Sequence, residues 1–446
     1  MKNKTALLFL IAALYVLILG TLFGLLASLQ YSLPDFLKEL IPLNKMRPLH
    51  TTTVISWIIL SATGSIYFYI SKVEHLSLFS FKLQKVHLGI FMLTGIAIYV
   101  SLVFGKMEGR EYLAFTPILT IPILLGWFLF GINYFKTIRK HVVNWPIYFW
   151  MWGTGIVFII YHLCEAYLWL IPSFRTHFIK DTIVQWKSYG SFVGSWNMLV
   201  YGIAIYVMSK IKNDVSLARG KKVFFFYFLG LSNLMLGWAH HTYFVPTLPW
   251  IRYLSYGVSM TEWILLIHII YSWKKSLTKK EKQDNSMAYK FLMAADFWVF
   301  INLIIALLIS IPAINLFTHG THITVAHSMG TTIGINTSIL LASLFFIVSK
   351  VKGEVIMFQK LKKVYYVFNS SLLVFFSVLL FAGAKKANWM FFEKNTSFSM
   401  MQDSLYLTYI AFFVFGLVLA TSITILAITL LKVLHKAYKK EATSTL

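Results

Sequence analysis

Phe317-Thr-His-Gly-Thr-His-Ile-Thr-Val-Ala-His-Ser-Met-Gly330 opens the tenth of twelve apolar segments and sets three imidazoles and a thioether where lipid-facing residues belong. Polar and ionisable groups inside a bilayer are costly, and those that persist face a cavity, a cofactor or one another. The stretch therefore marks the inner side of a helix that its neighbours must shield.

Those neighbours are legible in the composition. Of 446 residues, 58% are hydrophobic and only 13% charged, too apolar for a soluble domain of this length. Runs of about 20 apolar residues, enough to cross the hydrocarbon as a helix, lie at Thr5–Leu29, His50–Ile70, His87–Phe104, Pro117–Phe135, Ile147–Leu170 and Ser188–Met208. They continue at Val223–Tyr243, Trp250–Trp273, Phe291–Ile311, Thr321–Val348, Val364–Phe381 and Leu405–Leu431. The fold class is an all-α, twelve-helix transmembrane bundle, one domain over residues 1–446, because no internal repeat or long linker interrupts it. The first segment, beginning Met-Lys-Asn-Lys, is long for a signal-peptide core and is read as a retained helix.

Charge sets the orientation. The N-terminus, alternate loops from Ser71 onward and the C-terminal tail carry 28 of the 40 Lys and Arg, and the opposite loops carry 12. Both termini are therefore expected on the cytoplasmic side of a plasma or inner membrane. The net charge of +24 calls for no nucleic acid, because basic loops such as Lys274–Lys290 lie over anionic lipid. Cys164 is the only cysteine, which excludes a disulfide, a Cys-x-x-Cys-His haem attachment and a two-cysteine copper site. Any electrons must come from another molecule.

With odd helices running outward and even ones inward, each residue acquires a depth. His50 starts helix 2 at its outer end, Tyr189 opens helix 6 there, and His240 and His241 close helix 7 there. His319, His322 and His327 lie at or just inside the outer end of helix 10. Helices far apart in sequence thus bring imidazoles to one level, which suits haem iron or a His-bound copper or iron. The scattered His75, His87, His141, His177 and His435 are read as interfacial groups. In the outer loop before helix 4, Arg110 could pair with an acidic cofactor edge and Glu111 could bind a cation. Among acids within helices, Glu165, Glu262 and Asp296, Glu262 lies nearest a helix middle on the outer half. It is the candidate proton carrier or site acid, with a structural hydrogen bond to a neighbouring helix as the alternative.

These residues resemble a family. Arg47-Pro-Leu-His50-Thr, Gly109-Arg-Glu-Tyr112, Gly237-Trp-Ala-His240-His241 and Thr318-His-Gly-Thr-His-Ile-Thr-Val-Ala-His327, in that order on twelve helices, are similar to the large subunit of the haem-copper oxidase superfamily, nearest nitric oxide reductases and cbb3-type oxidases. The resemblance implies a low-spin and a high-spin haem b on opposite sides of helix 10, with non-haem iron or copper beside the high-spin haem. It implies His50 as an axial ligand of the low-spin haem, His327 as the proximal ligand of the high-spin haem, and His240 and His241 on the second metal. It also implies Glu262 near the active site, Glu111 at a calcium near haem propionates, and His319 near the propionates or a partner surface.

Two departures from the family pattern matter. Helix 10 has His327-Ser-Met329 where the family has His-x-His. Residues two apart on a helix point about 200° from each other, so Met329 takes the low-spin side, where a thioether can be an axial ligand that raises the potential or simple apolar filling. His322, seven residues before Met329, shares that face but sits about 10 Å further out, nearer a propionate than an iron. On helix 6, matching Gly194 and Trp196 to the family puts Tyr189 at a metal-binding histidine, and Val193 and Asn197 at two glutamates. The metal is then held by His240, His241 and the Tyr189 phenolate, or the site is empty.

The expected activity is reduction of nitric oxide or oxygen, with electrons from an external donor such as a c-type cytochrome docking on the outer face. The alternatives are a nitric oxide dismutase-like relative and a haem-based sensor or assembly protein without turnover.

Overall fold

The computed structural model describes residues 4–352, 361–393 and 395–443; the opening Met1-Lys2-Asn3 and part of the basic loop between the tenth and eleventh helices lie outside the described residues. Among the described residues, twelve helices are long and apolar enough to cross a membrane: Lys4–Ser32, Leu43–Val73, Phe81–Val103, Pro117–His141, Ile147–Leu170, Phe178–Lys212, Lys221–His241, Pro249–Ser276, Ser286–Ser310, His322–Val351, Lys362–Phe391 and Tyr406–Glu441. Among the described residues there is no β-strand.

Burial sorts these helices into an inner set and an outer ring. The most apolar windows of the second, sixth and tenth helices are 83%, 83% and 89% buried, whereas no other exceeds 61%. These three touch one another, and the chain closes by packing the twelfth helix on the first. The outer helices turn Leu93, Ile96 and Val100, or Phe297, Phe300 and Ile304, outward at helical spacing, as lipid contact requires.

Lipid tails are as apolar as leucine, so close packing and hydrogen bonds must hold the helices together. Gly64 lets the second helix rest on the first, where a Cβ would come within 2.9 Å of Phe9. Polar bridges pin the inner three: Trp57 donates to Thr337 at 3.0 Å, Tyr69 meets Ser343 at 2.5 Å, and Asn336 donates to Asn197 at 3.0 Å.

Four irregularities position the site. The sixth helix starts at Phe178, ten residues before the apolar run. Lys180, Asp181, Gln185 and Lys187 hide this turn from hydropathy, although Asp181 in its first turn suits the helix dipole. The seventh helix tightens into a 3₁₀ turn at Gly237–His241. The eighth breaks between Val258 and Thr261, with Met260 in the left-handed region at φ 58°. The tenth widens into a π-helical segment at Gly330–Thr337, just past His327 and Met329. His87 corrects the interfacial reading given to isolated histidines, because the third helix starts earlier, at Phe81, and buries it fully among Phe9, Phe91 and Phe130.

Candidate functional site

A cavity of about 580 Å³ reaches from the first, second and twelfth helices, past the tenth, to the seventh, eighth and ninth. Its volume falls among cofactor pockets, roughly 300–1,000 Å³. His50, Met329, Leu419 and Ile423 line one part, and His327, His240, His241 and Met260 another. The tenth helix therefore offers His327 and Met329 to one continuous space.

Each of two imidazoles has its tautomer set by the fold. His50 Nδ1 lies 2.9 Å from the Gly20 carbonyl, and a carbonyl only accepts, so Nδ1 carries the hydrogen and Nε2 the lone pair. Gly24, one turn along the first helix, makes room for that ring, since a Cβ there would stand 2.8 Å from His50 Cε1.

His327 is held in the same way by a residue that the sequence did not single out. Asn302, fully buried on the ninth helix, donates from Nδ2 to the His327 carbonyl at 3.1 Å and to Thr331 Oγ1 at 2.8 Å. Those two acceptors orient the amide, so its Oδ1 faces His327 Nδ1 at 3.2 Å and takes that proton. Gly330 is the cradle, because a Cβ there would lie 2.7 Å from Asn302 Oδ1. The only prior signal was an asparagine in the apolar run that follows Asp296 on the ninth helix.

Both histidines thus present a neutral imidazole, with Nδ1–H spent on an oxygen, to an apolar-walled cavity. This is the arrangement that an iron-binding histidine requires, and the residues fit haem.

The second metal site fares differently. The His240 and His241 rings sit 4.1 Å apart, tilted by 41°. His240 is anchored through its backbone, its N–H donating to Ser255 Oγ at 3.0 Å and its carbonyl accepting from Asn315 at 3.3 Å. Tyr189 does not join them. Because the sixth helix begins at Phe178, Tyr189 lies three turns inside it, with its ring 5.5 Å from Tyr112, and it does not line the cavity. Trp186 and Gly190 occupy the face towards the pair instead, with Trp186 stacked on His241 at 6.0 Å and 11°. Among the described residues no three His, Cys, Asp or Glu side chains converge as a metal site.

Glu262 is not mid-helix. The break at Met260 places it in the first turn of the second half of the eighth helix, buried, with Oε1 accepting from Asn233 at 2.9 Å and Oε2 lacking a partner among the described residues. It stands behind Met260, outside the cavity lining.

At the outer mouth, Arg47 takes the place expected of Arg110. Arg47 and Glu111 line the cavity and pair at 2.7 Å. Arg110 turns away to Asp181 at 2.7 Å and stacks over Trp169 at 4.7 Å. With a single carboxylate already paired to a guanidinium, Glu111 does not fit calcium, which needs six to eight oxygens. The pKa of Tyr112 beside it is pushed up to about 12 by burial and then by the Glu111 charge, so its phenol stays protonated. His319 lines the cavity between Phe244 at 4.9 Å and the Trp186 edge at 6.3 Å, and burial holds its pKa below the ordinary value. His322 is outside the cavity, packed on Tyr31 at 5.7 Å and Tyr409 at 6.0 Å.

Comparison with known proteins gives these residues a context. The family model for cytochrome c and quinol oxidase polypeptide I matches residues 4–433. The chain is similar to a nitric oxide reductase subunit of Stutzerimonas stutzeri, 21% identical over 76% of this chain and 74% of that one. It is also similar to a cytochrome c oxidase subunit 1 homolog of Agrobacterium tumefaciens (strain T37), 22% identical over 76% of this chain and 65%, just under two thirds, of the other. In fold it resembles a haem-copper terminal oxidase dimer solved by cryo-electron microscopy, with TM-score 0.75 and 14% identity over 97% of this chain and 84% of that chain.

Proposed function

We propose, from the premise that this chain belongs to the cytochrome c and quinol oxidase polypeptide I family, that it is a haem b-binding membrane oxidoreductase acting on nitric oxide or oxygen. One observation carries this reading. Two imidazoles, each with Nδ1 tied to an amide oxygen, line a single cavity from the second and tenth helices. Bound haem supplies one-electron transfer and an iron that takes a diatomic gas. His50 would hold the low-spin haem and His327 the high-spin one, each kept in one tautomer by Gly20 or Asn302.

Met329, lining the cavity with His50, is the proposed second ligand on the low-spin side. Arg47 rather than Arg110 would meet acidic cofactor groups at the mouth. Glu262, buried and with Oε2 unpartnered among the described residues, would hold a proton just behind the cavity wall at Met260. Electrons come from an external donor, proposed as a c-type cytochrome on the outer face, with both termini cytoplasmic. The incomplete donor set around His240 and His241 favours a second reading, a nitric oxide dismutase-like or sensing protein.

The test is an anaerobic preparation of the full chain. Pyridine haemochrome should give two haems b per chain, and nitric oxide should shift the spectrum of one of them. A preparation that takes up no haem, or whose spectrum ignores nitric oxide, rejects the proposal.

A further inference from the structure

We infer that the pocket beside His327 does not retain a second metal ion, and that Gly190 on the sixth helix is the residue that decides this. The inference rests on the reading above that His327 serves a haem, and it concerns what stands opposite.

A resident transition metal needs at least three protein donors in a fixed geometry. The seventh helix supplies two, His240 and His241. The third side of the pocket belongs to the sixth helix, which offers Gly190, with no side chain, and Trp186. A Cβ built on Gly190 would stand 3.2 Å from His241 Cδ2 and 3.6 Å from His241 Nε2, so this is the backbone position from which a third ligand would project. One turn outward, the Trp186 indole lies parallel to the His241 ring at 11°, with centroids 6.0 Å apart. An indole N–H is a donor only and cannot ligate.

The other donors nearby do not complete the pair, and Met260 Sδ, on the cavity wall, accepts from Asn233 Nδ2 at 3.9 Å. Tyr189, one residue from Gly190 and therefore about 100° around the helix, packs on Tyr112. Glu262 accepts from Asn233 and lies outside the cavity. His319 packs against Phe244 and the Trp186 edge. With two imidazoles and no third ligand, a metal ion there is held mainly by water and exchanges readily. The pair then acts as hydrogen-bonding imidazoles over whatever binds on the His327 side, with Ser259 Oγ at 3.4 Å from His240 Nδ1 supporting one of them.

The experiment is metal analysis of the haem-loaded full chain by plasma mass spectrometry after dialysis against EDTA, with haem counted in parallel. Iron equal to haem, with copper, zinc and cobalt at trace level even after prior incubation with each ion, is the expected result. Gly190→His should retain added Co(II) through the same dialysis. Because that side chain must displace the His241 ring by a few tenths of an ångström, Trp186→His, which replaces a larger group one turn away, is the second variant. Either should retain Co(II) in proportion to protein where the wild type retains a trace, because each supplies the third imidazole. One non-haem metal per wild-type chain surviving EDTA and lost in His241→Ala overturns the inference while leaving the haem reading intact. A metal-free wild type whose two donor variants are equally metal-free removes Gly190 as the determinant. A protein without haem counts against the proposed function itself.

Discussion

Replacing Asn302 by leucine keeps the branched shape of the side chain, with bulkier methyl groups in place of the amide, and deletes its hydrogen bonds to His327. Three contacts disappear: the Nδ1–H to Oδ1 bond at 3.2 Å and the two donations from Nδ2 at 3.1 and 2.8 Å. Thr331 Oγ1 still donates to the His327 carbonyl at 3.1 Å, so that group stays satisfied. The His327 Nδ1–H does not, and a buried unsatisfied donor costs about 1–3 kcal/mol. Loss of the group that orients a metal-binding histidine typically weakens binding by about 10–100-fold, or about 1.4–2.7 kcal/mol. The first cost falls on the folded protein and the second on the bound group, so Asn302→Leu should be less stable and should weaken retention of one haem by about one to two orders of magnitude.

The sign of the potential follows from the same bond. A histidine that no longer donates from Nδ1 is a poorer electron donor, so the midpoint of that haem should rise. Asn302→Asp, which keeps an acceptor of greater basicity, should lower it. Haem transfer to a scavenging protein gives the affinity, and a redox titration in detergent gives the potentials. If Asn302→Leu loses both haems in parallel, or loses neither and leaves both midpoints unmoved, the assignment of Asn302 to His327 is wrong.

Three further outcomes follow from named contacts. Gly24→Ala places a Cβ 2.8 Å from His50 Cε1, so haemochrome counting should show loss of one haem while carbon monoxide binding at the other persists. Met329→Ala should open the low-spin haem to carbon monoxide, and Met329→His should lower its potential. His322→Ala, whose ring packs on Tyr31 and Tyr409 outside the cavity, should change neither; carbon monoxide binding by wild-type protein at both haems would exclude Met329 as a ligand. Arg110→Ala should lower thermal stability by about 1 kcal/mol through loss of the Asp181 pair and leave haem content unchanged, whereas Arg47→Ala should weaken haem retention; the reverse pattern in melting and haemochrome assays would return Arg110 to the cavity mouth.

Much of this protein is legible in its sequence, because the bilayer imposes a length and an apolarity that read directly as helices. The twelve segments, their order, and the shared depth of His50, His240, His241 and His327 all follow from hydropathy and alternating direction. What the sequence could not supply is rotation about each helix axis. A side chain turns by about 100° per residue, so a sixth helix that turns Trp186 and Gly190 rather than Tyr189 towards the pair changes a three-ligand site into a two-ligand one. Polar first turns blurred the starts: Lys180, Asp181 and Lys187 concealed the real beginning of the sixth helix, and the break at Met260 moved Glu262 from mid-helix to a helix start. The choice of Arg47 over Arg110, and the hold of Asn302 on His327, depend on residues 64 and 25 positions apart meeting in space. Hydropathy fixes where along the membrane normal a residue lies; only the packed bundle decides which way it faces, and the chemistry of the cavity depends on the second.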